Sequence, residues 1–222
     1  MTPTRYRTLT LALLLNLLLV DLAILPVAAD SRRPPSEPAA SEASTLDQFV
    51  ASVSDGQAGV VRGVYVPGVL ALKVLQQPED QPIAVSRLKG AVTQYRYAQA
   101  GGVTGLLAHN TSSGWLFFNL QYEQEVWIVF GDGAKRGYWV TDVFHYQTLT
   151  PNDPYSDFAD LNTGAVLSSG DLFEKMYWGG DRVTFQTCIA KNGNKMWGML
   201  FVVAQPMESA PLTPLNERLG IE

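Results

Sequence analysis

The side chain best suited to chemistry in this sequence is Cys188, the only cysteine among 222 residues. It closes the run 183–188, whose β-branched and aromatic residues predict a strand. The turn-forming segment 191–194 follows shortly, so we expect the thiol at the end of a strand and partly exposed, where it could act as a nucleophile. The alternative is a small buried hydrophobic side chain, which is the commoner fate of a free cysteine.

A cysteine nucleophile needs an imidazole nearby, because a free thiol titrates near about 8.5 and is mostly protonated at neutral pH. The sequence has two histidines. His109 ends the apolar stretch 101–110 and precedes a Thr-Ser-Ser-Gly turn, so it too is expected where a strand ends. His145 lies in the middle of a predicted strand, where a structural role is usual, and is expected to point elsewhere. The candidate pair is therefore Cys188 with His109, whose imidazole would protonate a leaving amine.

Residues 1–29 have the pattern of a targeting segment. Arg5 and Arg7 precede an apolar run over 9–25, and small residues at 27–29 fit a cleavage site. The segment is either a cleaved signal peptide or an N-terminal membrane anchor, since the apolar run approaches the roughly 20 residues of a membrane span. Both readings place the following domain outside the cytoplasm, secreted or membrane-anchored.

The rest of the composition limits the classes of function. Residues 30–58 are expected to form a flexible tether, rich in proline and serine, that ends in a short helix over 45–53. With 16 basic and 21 acidic residues the net charge is −5, and no basic tract is present, so nucleic acid is excluded as a partner. A single cysteine allows no internal disulfide. No zinc-ligand spacing is present.

The folded part reads as short strands separated by glycine and proline, which predicts a mostly β sandwich or barrel with few helices. A Gly-Asp-Gly sequence at 131–133 predicts a hairpin. A second apolar element is expected at 115–120, a loop at 151–160 and a helix from residue 169 or 170 to 177. Strands are expected at 60–66, 69–75, 83–85, 91–97, 101–110, 125–130, 138–146, 183–188 and 197–204.

The motif Thr184-Phe185-Gln186-Thr187-Cys188 resembles the Thr-Leu-x-Thr-Cys motif of the sortases, which are exported cysteine transpeptidases. The context Leu107-Ala108-His109-Asn110 is similar to that of the sortase histidine. The resemblance covers about residues 60–206 and implies a closed eight-stranded sortase-like β-barrel over 59–206, with catalytic His109 and Cys188 at one rim. It leaves residues 207–222 as a C-terminal tail.

One departure from the sortase pattern concerns the strand after the cysteine, where the family places an arginine. Residues 197–204 contain none. Lys195, Thr187 or backbone amides would bind the oxyanion or the substrate in its place, although a lysine lacks the planar fork of a guanidinium. An arginine from another part of the chain is the alternative. Arg182 is too far along the strand, since six residues span roughly 20 Å.

The resemblance implies that Cys188 cleaves a sorting-signal peptide of surface proteins through a thioacyl intermediate. The acyl group would pass to an amine acceptor on the cell wall or a pilin. The missing arginine keeps a second function open, a weak or inactive barrel that binds peptides outside the cytoplasm. An L,D-transpeptidase is disfavoured because its Ser/His-Gly-Cys neighbourhood is absent around Cys188. No cofactor or metal is expected, although the resemblance allows calcium in the acidic loop 152–160.

Overall fold

The computed structural model describes residues 46–151, 153 and 155–208. Within these residues the chain forms three α-helices, one 3₁₀ helix and ten strands. The helices are α1 Leu46–Val53, α2 Arg96–Ala100, α3 Ser169–Tyr177 and the 3₁₀ helix Gly114–Asn119. The strands are β1 Val61–Val66, β2 Leu70–Gln76, β3 Ala91–Tyr95, β4 Val103–Leu107, β5 Glu125–Phe130, β6 Lys135–Thr148, β7 Phe158–Asp160, β8 Val166–Leu167, β9 Arg182–Lys191 and β10 Asn194–Pro206.

Eight of these strands close into a barrel. Their order is β10-β9-β4-β3-β2-β1-β5-β6, and β6 pairs back to β10. The short strands β7 and β8 extend the sheet beyond β6. The prediction of a mostly β, closed eight-stranded barrel with a few short helices is therefore confirmed.

The barrel interior is filled by apolar side chains from every strand of the ring. Phe117 and Leu120, from the 3₁₀ helix and the residue after it, join this core and close one end. A second apolar cluster lies outside the barrel, where side chains of α3 meet those of β4, β6 and β10. A third cluster holds α1 against β1 and β5 through Phe49 and Val53.

Two parallel pairs, β2–β3 and β4–β9, interrupt the otherwise antiparallel ring. Because β4 and β9 run in the same direction, the residue that follows β4 and the last residues of β9 reach the same end of the barrel. We call this end, where β10 also begins, the site rim. The pairing thus brings two segments about 80 residues apart in sequence to one place.

Several predicted elements differ from the observed ones. Residues 83–85 form no strand, because Pro82 lies inside a turn in which Ala84 N donates to Gln81 O at 3.0 Å. The strand predicted over 91–97 ends at Tyr95, where the helix-favouring residues of α2 begin. The element at 115–120 is a 3₁₀ helix, and the loop 151–160 ends in β7.

The predicted targeting segment 1–29 and the tether 30–44 lie outside the described residues, as does the tail from residue 209. Among the residues that are described, no helix has the length and apolar character of a membrane span. The predicted helix over 45–53 is α1, which the described residues show from Leu46.

Candidate active site

Cys188 lies on β9 and is paired with Met199 of β10. The strand does not end at the cysteine, as predicted, but continues to Lys191. The reason is that β10 is long enough to keep pairing with β9, with Gly198 opposite Ile189 and Asn194 opposite Lys191. Cys188 is therefore held inside the sheet rather than at a free strand end.

The thiol of Cys188 is buried, with 5% of the residue exposed. The prediction that it would be partly exposed is wrong for this structure. Burial without a compensating charge raises the pKa of Cys188 to about 12. At neutral pH the side chain is consequently a neutral thiol, and any nucleophilic role requires a base that removes its proton.

His109 reaches the same rim through the register of β4 with β9. Leu107 pairs with Gln186, and the next residue continues the ladder, because Ala108 N donates to Gln186 O at 3.2 Å. Two residues beyond that pair on each strand come His109 and Cys188. His109 lies two residues beyond the last paired residue of β4. The register therefore brings its segment to the same end of the barrel as Cys188.

The turn after β4 holds the backbone of His109 firmly. Its carbonyl oxygen accepts hydrogen bonds from Ser112 N at 3.0 Å and from Gly114 N at 2.9 Å. A Cβ atom on Gly114 would lie 2.7 Å from the carbonyl oxygens of Ala108 and His109 and would overlap Thr187 Oγ1. Only glycine therefore allows the turn to close this tightly against β9.

Thr187 lies on the opposite face of β9 from Cys188. It is fully buried, and among the described residues its hydroxyl oxygen has no hydrogen-bond partner. It contacts the Gly114 turn, so its visible role is to pack beneath the segment that carries His109. Its predicted part in oxyanion or substrate binding stays a prediction.

Lys195 is exposed at the site rim, at the start of β10. Its carbonyl oxygen accepts a hydrogen bond of 3.3 Å from Asn110 Nδ2, and Asn110 directly follows His109. The structure thus brings Lys195 next to the histidine segment. Its predicted role toward an oxyanion or substrate stays a prediction as well.

His145 and Arg182, the other two side chains weighed from the sequence, lie away from Cys188. His145 pairs with Leu200, which in turn pairs with Thr187, so it belongs to the row on the face opposite Cys188. Arg182 caps the end of α3, donating from Nη2 to Lys175 O at 2.6 Å and to Trp178 O at 2.7 Å. His145 is thus on the opposite face of the sheet from Cys188, and Arg182 lies six residues before Cys188 on β9.

Sequence reasoning missed a buried polar contact beside the cysteine. Gln186 points to the same face as Cys188, and the Tyr177 hydroxyl of α3 donates to its Oε1. Gln186 Nε2 donates to Met199 Sδ at 3.4 Å. The contact ties α3 to the two strands that hold the thiol. The available signal was a glutamine inside a strand of β-branched and aromatic residues, where a buried amide requires partners.

A second residue that sequence reasoning missed is Lys175 of α3. Its Nζ donates to the Tyr146 hydroxyl at 2.8 Å and lies 4.2 Å from the centre of the Phe144 ring. Tyr146 pairs with Met199, which pairs with Cys188, so this ammonium group lies over the same face as the thiol. The helix was predicted, but a single lysine on it does not indicate which strand residues it will contact.

The resemblance to sortases allowed a calcium ion in the acidic loop 152–160. Among the described residues, no group of three or more His, Cys, Asp or Glu side chains lies together as a metal site would require. Asp160 instead accepts hydrogen bonds from the backbone of Asn162 at 2.8 Å and of Thr163 at 3.1 Å. Burial opposes its ionisation, but these donors and the nearby Lys175 outweigh it and lower the pKa of Asp160.

No known protein family profile matches this sequence, and no curated protein matches it. Several solved structures are similar to this chain. The sortase A of Listeria monocytogenes is similar at a TM-score of 0.43 and 14% identity, covering 76% of this chain and 99% of that one. The sortase C-1 of Actinomyces oris is similar at 0.44 and 14%, covering 94% and 99%. The sortase C1 of Streptococcus suis is similar at 0.45 and 12%, covering 75% and 80%. At these values the likeness assigns neither activity nor site residues to this chain.

Proposed function

We propose that this protein is an exported sortase-like cysteine transpeptidase. Its substrate would be the sorting-signal peptide of a surface protein, and its acceptor an amine on the cell wall or a pilin. The observation that supports the proposal best is the β4–β9 register, which carries the segment of His109 and the strand of Cys188 to the same end of the barrel. The whole motif Thr184-Phe185-Gln186-Thr187-Cys188 lies on β9.

The proposed reaction has two steps. In the first, Cys188 Sγ attacks a peptide carbonyl carbon while its proton passes to the His109 imidazole. The C–N bond breaks, and the imidazolium gives that proton to the leaving amine. In the second, an acceptor amine attacks the thioester, its proton passes to the imidazole, and the thiolate leaves and is reprotonated. Without the imidazole the buried thiol would stay protonated, since its pKa lies near about 12.

The test is acyl transfer by the full chain. A pool of short peptides of randomised sequence is incubated with the protein and hydroxylamine as the amine acceptor, and products are followed by mass spectrometry. We expect hydroxamate products and a trapped acyl adduct on Cys188. The matched control is Cys188→Ala, which should form neither. A wild-type protein that forms no adduct and no hydroxamate across the pool would contradict the proposal.

The second candidate is a barrel that binds peptides without cleaving them. Two observations favour it: residues 197–204 carry no arginine, and the thiol is buried. The same peptide pool separates the two functions. A binding module retains peptides equally well as wild type and as Cys188→Ala and releases them unchanged, whereas a transpeptidase converts them only when the cysteine is present.

A further inference from the structure

Three large apolar side chains are exposed at the site rim. Leu88, Trp115 and Phe118 are exposed to 63%, 57% and 44%, and we call them the rim patch. Trp115 and Phe118 are three residues apart on the 3₁₀ helix, where side chains at that spacing lie on one side. Leu88 is joined to this helix by Ser113, whose Oγ accepts from Gly90 N at 3.1 Å and donates to Leu88 O at 3.5 Å.

The barrel core does not need these side chains. On the same helix it is Phe117 that fills the interior, fully buried, with Leu120 just beyond the helix. Trp115 and Phe118 are the residues left pointing outward. Single exposed apolar residues are ordinary, but a group of large ones at one end of a domain indicates a contact surface.

The charges around the rim patch indicate the kind of partner. The chain from residue 110 to 122, which carries Trp115 and Phe118, contains no Asp, Glu, Lys or Arg. Leu88 lies between the exposed basic residues Arg87 and Lys89, although the whole chain has a net charge of −5. Tryptophan, phenylalanine and leucine bordered by cations are the combination that enters the headgroup region of an anionic bilayer.

We propose that the rim patch rests on the surface of an anionic phospholipid membrane. The apolar segment 9–25 would keep the domain at the membrane, and the 20 residues from 26 to 45 can span at most roughly 70 Å when extended. The patch adjoins His109 through the Gly114 N to His109 O bond, so the site rim would face the lipid. The proposal rests on the membrane segment expected from the sequence. It does not depend on the chemistry of Cys188, so either proposal can fail alone.

The experiment uses the full chain in vesicles of phosphatidylcholine and phosphatidylglycerol, with bromine on the acyl chains. A polarity-sensitive fluorophore is attached to Phe118→Cys in a Cys188→Ser background. The matched control carries the label at Glu208→Cys, an exposed position just beyond the end of β10 and so at the opposite end of the barrel. We expect a blue shift and at least twofold quenching at position 118, and neither at position 208. Adding Trp115→Ser should reduce the quenching, as should vesicles without phosphatidylglycerol.

Five results would overturn the proposal. Equal quenching at both positions would mean that the rim patch makes no preferred contact with lipid, as would no quenching at 118. If the full chain fails to float with the vesicles, segment 9–25 does not hold the domain at the membrane. A blue shift at 118 that needs no lipid and grows with protein concentration would assign the patch to a second copy of the chain. A shift that appears only with added peptide would assign it to the substrate.

Discussion

Replacing Gly114 by alanine tests how the His109 turn is held in place. The added methyl carbon would lie 2.7 Å from two backbone carbonyl oxygens, those of Ala108 and His109, where ordinary contacts begin at 3.4 Å. It would also overlap Thr187 Oγ1. Gly114 is not among the residues with positive φ, so an alanine meets no backbone strain there and the effect is purely steric.

These distances set the loss of stability expected for Gly114→Ala. Relieving the contacts requires a movement of about 0.7 Å, which is 3.4 minus 2.7 Å, in backbone atoms that cannot rotate away. Overpacking of this kind costs about 1–3 kcal/mol. Loss of the Gly114 N to His109 O hydrogen bond adds about 1 kcal/mol. We therefore expect Gly114→Ala to lower the free energy of unfolding by about 2–4 kcal/mol.

The same movement displaces His109 relative to Cys188. A misplacement of about 1 Å can cost roughly 100-fold in rate, so we expect acyl transfer to fall at least about tenfold. The matched control is Gly170→Ala in α3, where the only atom near an added Cβ is Ser168 Oγ at 3.8 Å. That change should stabilise the protein by about 0.5–1 kcal/mol, because alanine favours the helix over glycine.

Urea unfolding followed by circular dichroism measures the stability of both glycine variants, and hydroxamate formation measures their activity. If Gly114→Ala unfolds within about 0.5 kcal/mol of wild type, the turn is not packed as described. If it is destabilised but fully active, the position of the turn does not control His109 and the proposed pairing loses its support.

The remaining predictions concern the thiol and its surroundings. His109→Ala should slow acyl transfer about 10²–10⁴-fold, Lys195→Ala by less, and Cys188→Ala should abolish it; a His109→Ala enzyme at full rate would contradict the dyad. Tyr177→Phe and Gln186→Leu should each destabilise by about 1–3 kcal/mol in urea, and the double variant by less than their sum. Stability should fall as pH rises from about 9 toward about 12, because the unfolded Cys188 thiol ionises before the native one. Cys188→Ala should reduce that slope by up to about 1.4 kcal/mol per pH unit in urea unfolding between pH 8.5 and 10.5, and an unchanged slope would contradict the burial.

Local patterns in the sequence were sufficient to predict most strands of the barrel and the turn between β5 and β6. The strand predicted at 125–130 is β5, and the Gly-Asp-Gly signal marks the turn between β5 and β6. The predicted helix ending at 177 is α3, whose start is fixed by Ser168 accepting a hydrogen bond from Asp171 N. In each case the deciding interactions lie within a few residues, which is the range that a sequence pattern can report.

The burial of Cys188 could not be read in the same way, because its neighbours are distant in sequence. Met199 comes from a strand whose full length was not apparent, and the end of α3 reaches β9 through a contact between Tyr177 and Gln186. The five-residue helix α2 is too short to show helical periodicity. These features depend on which strands pair, and the sequence specifies that pairing only through the whole fold.

The buried thiol bears on which reaction the proposed enzyme would favour. A thioester on Cys188 would form where 5% of the residue is now exposed, with Met199 beside it and the apolar cluster under α3 on the same face. Exclusion of water from such a site protects a reactive acyl intermediate from hydrolysis. We therefore expect an added amine to compete well with water for the acyl group. Product ratios with and without hydroxylamine measure this. A protein that mainly hydrolyses its peptides in the presence of millimolar amine would show that the site opens to water once the substrate is bound.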